Sequence, residues 1–92
     1  MTREEIENRI KEAISSKGLK YKDGKIVTSI GTVIAFNFTK LTFDVSVCSD
    51  TEEEKTLSAF FLWYDEVSDV HGNGNALFID FKRMCSFITI DW

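Results

Sequence analysis

Residues 50–70 read Asp50-Thr51-Glu52-Glu53-Glu54-Lys55-Thr56-Leu57-Ser58-Ala59-Phe60-Phe61-Leu62-Trp63-Tyr64-Asp65-Glu66-Val67-Ser68-Asp69-Val70, and the conformation of this stretch decides the fold. At about 100° per residue, Leu57, Phe60, Phe61, Tyr64, Val67 and Val70 fall on one face, with Ala59 and Trp63 at its edge. Ser49-Asp50 followed by three glutamates suits a helix start, because acids complement the positive end of the helix dipole. The alternative is a strand with Leu57, Ala59, Phe61 and Trp63 on one face and Phe60, Leu62 and Tyr64 on the other. Such a strand would be apolar on both sides. The acidic start and the scarcity of β-branched residues between 52 and 66 favour the helix, so the pattern predicts a helix over 52–68.

Upstream, the chain begins with a second helical pattern. Ile6, Ile10, Ala13 and Ile14 recur at helical spacing, Thr2 and Glu5 form a capping box, and Gly18 supplies a left-handed stop. Asp23-Gly24 is a tight-turn signal. Residues 25–38 are rich in β-branched and aromatic types, interrupted by Gly31, which marks either a bulge or a turn. Leu41, Phe43, Val45 and Val47 alternate with polar residues and predict a half-buried strand, paired with its predecessor through a loop at Thr39-Lys40. Downstream, His71-Gly72-Asn73-Gly74-Asn75 reads as a flexible loop. Residues 76–82 and 86–92 then read as a hairpin turning near Arg83-Met84.

The expected fold is therefore α+β, in the order α-β-β-β-α-β-β. An antiparallel sheet of four to six strands carries two helices. Ninety-two residues suit one domain, and 43% hydrophobic content with eight Phe can fill its core. No run reaches the roughly 18 apolar residues of a membrane span. The start, Met1-Thr2-Arg3-Glu4-Glu5, lacks a secretory pattern, so the expected location is the cytoplasm. There the match of Asn37-Phe38-Thr39 to a glycosylation signal is fortuitous, and Cys48 and Cys85 are expected as small core residues.

Charge is unevenly distributed. Residues 1–25 hold seven Lys/Arg and five Asp/Glu, whereas residues 49–92 hold three and nine, a net of −6. The acids of the second half group as Asp50, Glu52, Glu53 and Glu54, and as Asp65, Glu66 and Asp69. They serve solubility as a wet helix face, or they meet a basic surface. Trp63, at the edge of the apolar face, and Trp92, the last residue, have the character of interface anchors.

Asp65, Asp69 and His71 form a candidate divalent-metal site, since a helix would put the two aspartates on one face with His71 just past its end. The calcium-loop and HExxH spacings are absent. Catalysis is disfavoured: His71 is the only histidine, nothing marks a nucleophile beside it, and Gly72-Asn73-Gly74 is too short to cradle phosphate. Direct nucleic-acid binding is disfavoured because Thr51-Glu52-Glu53-Glu54 would repel phosphates. The expectation is a non-catalytic protein-binding domain without a cofactor. Its sharper form is a small acidic inhibitor or immunity-type protein contacting a basic partner through Glu52, Glu53, Glu54, Trp63, Asp65, Glu66, Asp69 and Trp92. A structural homodimer subunit is the second expectation. A divalent-metal-dependent enzyme or regulator using residues 65–71 is the third.

Overall fold

The N-terminal helix α1, Arg3–Lys17, forms where its caps place it. Thr2 accepts from the Glu5 backbone nitrogen while Glu5 accepts from that of Thr2, and Gly18 closes the helix at φ 78°. Its buried residues are Ile6, Ile10, Ala13 and Ile14. In the computed structural model residues 1–28, 31–49, 56–83 and 86–92 are described.

Among the described residues seven antiparallel strands follow, in two meanders rather than the single sheet of four to six strands expected. The first sheet has the order β1-β2-β3-β4, with β1 Lys25–Val27, β2 Thr32–Phe38, β3 Thr42–Ser49 and β4 Thr56–Trp63. The second has the order β5-β6-β7, with β5 Val67–Asn73, β6 Ala76–Phe81 and β7 Phe87–Asp91. The Asp23-Gly24 turn has both residues at positive φ, 54° and 74°, as a tight hairpin of the primed type requires. Gly31 lies in the turn between β1 and β2, at φ 79°. The pairing of β2 with β3 through the loop at Thr39 matches expectation.

The α+β class holds, but the predicted helix over 52–68 does not. Its described part is strand β4, a single 3-10 turn over Tyr64–Glu66, and the start of β5. Burial alternates strictly from Phe61 to Tyr64: Leu62 and Tyr64 are buried, Phe61 and Trp63 exposed. The helix-like spacing of Tyr64, Val67 and Val70 has two other causes. The 3-10 turn brings residues three apart to the same side. A bulge then leaves Ser68 without a partner, since Val67 pairs with Phe81 and Asp69 with Asp80. That extra residue turns both Val67 and Val70 inward.

The buried side chains of α1 and of both sheets form one cluster. Phe43 and Tyr64 of this cluster stack in series with partly buried Phe38 packed against it, with centroid separations of 5.6 Å for both pairs. The helix packs chiefly along β5. Gly72 makes that approach feasible: a Cβ there would lie 3.3 Å from Ala13 Cβ and 3.4 Å from the Trp92 ring. Residues 71–73 are accordingly strand rather than loop, and the turn is reduced to Gly74-Asn75. Leu41, expected inside, is 61% exposed because β3 begins one residue later. Cys48 is half-buried in β3, and Cys85 lies outside the described residues. No helix among the described residues is long and apolar enough to cross a membrane.

Candidate functional site

β4 is an edge strand of the first sheet, so its outward side chains border an unpaired backbone edge among the described residues. Phe61 is 65% exposed and Trp63 47% exposed on that outward face. Around them the face is small and polar. Asp44 stands opposite Phe61 and Ser46 opposite Ala59 on β3, backed by Asn37 and Ala35 on β2. These residues line a shallow concavity. Asp44 Oδ1 is buried there without a hydrogen-bond partner. An unsatisfied buried acceptor costs on the order of 1–3 kcal/mol, more when charged.

The end of this face is fixed by the corner that follows. The Tyr64 backbone nitrogen donates to the Leu41 carbonyl at 3.3 Å, which brings exposed Leu41 beside the end of β4. The Met1 nitrogen donates to the carbonyls of Tyr64 and Val67, at 3.2 and 2.9 Å, across the 3-10 turn. Asp65 and Glu66 are exposed on that turn, directly after Trp63 in sequence.

A second group occupies the outer face of the other sheet. Asp69 and Asp80 are direct cross-strand partners, and His71 pairs with Phe78 one row along. His71 Nδ1 lies 3.4 Å from Asp69 Oδ2 and 3.8 Å from Asp80 Oδ2. The imidazole stacks on Phe78 at 5.3 Å with the ring planes 4° apart, and Phe78 in turn contacts Phe87. From α1, Arg9 Nη1 reaches Asp69 Oδ1 at 3.3 Å.

The expected site residues are thus dispersed. Trp63, Asp65 and Glu66 are exposed around one corner. Glu52, Glu53 and Glu54 lie outside the described residues. Trp92 is 5% exposed and packs in the core beside Gly72, so its indole does not serve as a surface anchor. Asp69 and His71 do meet, but with Asp80 in place of Asp65, because the 3-10 turn and the bulge replace the helix that would have joined Asp65 to Asp69. Asp80 and Asp44 escaped sequence reasoning. The signal for each was a lone carboxylate at an outward position of an alternating strand, Asp44 between Phe43 and Val45 and Asp80 between Ile79 and Phe81.

Comparison with protein-family models, with curated proteins and with solved structures gives no match to this chain.

Proposed function

We propose that the chain is a non-catalytic protein-binding domain whose outer β3–β4 face receives a partner carrying basic side chains. The observation that carries this reading is the pair Phe61 and Trp63, large aromatics exposed together on an edge strand. Aromatic side chains held rigid on a sheet give contact area at low entropic cost and are typical interface anchors. Burying them removes apolar surface from water at roughly 25 cal/mol per Å².

Asp44 supports a basic partner. Its buried, unpartnered oxygen sits beside Phe61 and would be satisfied by a lysine or arginine entering the shallow concavity. Asp65 and Glu66 add negative charge after Trp63. Occlusion of a basic surface on the target, as an inhibitor or immunity-type protein does, is the action such a face supports. The open edge of β4 favours one second reading, a homodimer formed by pairing β4 with its copy.

A photo-crosslinking phenylalanine analogue at position 61, in cells of the encoding organism, tests the proposal. A defined heterologous adduct from position 61, with none from the same probe at exposed position 11 on α1, supports it. A self-adduct would support the homodimer instead, and no adduct from position 61 would contradict both.

A further inference from the structure

We propose that Asp69, His71 and Asp80 bind a divalent first-row transition ion, with Zn²⁺ the best fit to the donor set. One oxygen from each aspartate and Nδ1 of His71 all lie within 4.8 Å of one another. Ligands at zinc bond lengths stand about 3.3 Å apart in a tetrahedron. The 3.4 and 3.8 Å from Nδ1 to the two carboxylates are close to that spacing.

Two independent features point to a cation. The first is the state of His71 Nδ1. The imidazole side chain is 41% exposed, yet Nδ1 itself is shut off from solvent and has no hydrogen-bond partner. A ring nitrogen held at ion-pair distance from two carboxylates, with no hydrogen bond to either, is disposed to coordinate. The second is the direct cross-strand placement of Asp69 and Asp80, since like charges opposite each other destabilise a sheet. A dication with two carboxylates and a neutral imidazole cancels that repulsion.

Neighbours hold the ligands ready. Phe78 fixes the imidazole plane by stacking, and Arg9 engages Asp69 Oδ1, which leaves Oδ2 toward His71. The donor set selects the ion. Imidazole suits zinc and its neighbours, whereas calcium takes six to eight oxygen ligands, which two carboxylates do not supply. Three protein ligands at a surface leave a further position for water or for a partner's side chain.

The test uses the full chain labelled with ¹⁵N-histidine. His71 is the only histidine, so its ring signals report without ambiguity. Titration with Zn²⁺ at neutral pH is expected to shift the Nδ1 resonance saturably at one equivalent, and equal Ca²⁺ is expected to leave it unmoved. Asp80→Asn and Asp69→Asn, checked as folded by circular dichroism, should each weaken binding at least tenfold, since even outer-shell changes at metal sites cost about 10–100-fold. Asp65→Asn should leave it unchanged. Absence of a saturable shift would overturn the site. So would wild-type affinity in Asp80→Asn, or an equal loss in Asp65→Asn.

Discussion

The hydroxyl of Tyr64 donates to the carbonyl oxygen of Thr39 at 2.7 Å, tying the 3-10 corner back to the β2–β3 loop. The same ring stacks on Phe43 with its plane only 5° away. This one side chain thus links the corner to the centre of the first sheet. Removing only the hydroxyl, as Tyr64→Phe, should lower stability by about 0.5–1.5 kcal/mol, the net worth of a typical hydrogen bond. Removing the ring, as Tyr64→Ala, should cost about 3–5 kcal/mol, as aromatic truncation in a core does. Urea unfolding followed by far-ultraviolet circular dichroism measures both, and equal losses would refute the separate roles of ring and hydroxyl.

Burial holds the Tyr64 phenol above its ordinary pKa of 10.0, and the Tyr21 phenol likewise. Above pH 10 the unfolded chain releases these protons while the folded chain retains them. Stability is therefore intact below the ordinary phenol pKa and falls as pH rises through the folded values. Urea midpoints between pH 8 and 11 should decline for the wild type and decline less for Tyr64→Phe. Parallel profiles would show that Tyr64 does not contribute to the alkaline loss.

Gly72 lies where α1 comes closest to β5. A methyl group there meets Ala13 at 3.3 Å, which is tight, while Gly→Ala also restricts the unfolded chain and can gain about 0.4–1 kcal/mol. The two effects nearly offset, so Gly72→Ala should change stability little. Gly72→Val adds branched bulk against Ala13 and Trp92 and should cost about 1–3 kcal/mol, as overpacking does. Thermal melts of the pair test whether the helix sits on this strand.

The capping box should account for part of the acid sensitivity. Hydrogen bonds from the Thr2 backbone and side chain lower the Glu5 pKa below its ordinary 4.5. A lowered carboxylate pKa gives stability that is present above the unfolded value and lost as pH falls through the folded one. Thr2→Ala should cost about 0.5–2 kcal/mol at pH 7. It should also flatten the decline in stability below pH 4.5, as followed by helical ellipticity.

Much of the fold was legible where local chemistry and burial agree. Thr2 and Glu5 marked the start of α1, Asp23-Gly24 marked the first hairpin, and Phe43 and Val45 marked the half-buried face of β3. The stretch from Thr56 to Val70 was not legible, because β4 is apolar on both faces and a bulge at Ser68 disguises β5 as helix. Periodicity cannot separate an edge strand that exposes aromatics from a helix that buries them, since the deciding quantity is tertiary exposure. The same misreading joined Asp65 to Asp69 and left Asp80 out, for cross-strand neighbours carry no fixed spacing in sequence. Trp63 is exposed as its place at the edge of the apolar face suggests, whereas Trp92 is buried because Gly72 opens a core site for it that only the packed structure reveals.

On the proposed reading, Phe61 and Trp63 anchor a basic partner on the outer β3–β4 face. Its most direct test is the affinity of the partner captured by cross-linking, measured by calorimetry for the wild type, Phe61→Ser/Trp63→Ser and Asp44→Asn, at low and high salt. The aromatic double variant should bind at least about tenfold more weakly, a hot-spot loss of about 1.4 kcal/mol or more. Asp44→Asn should lose less, and wild-type binding should weaken at high salt. Unchanged affinity in the aromatic double variant would contradict it.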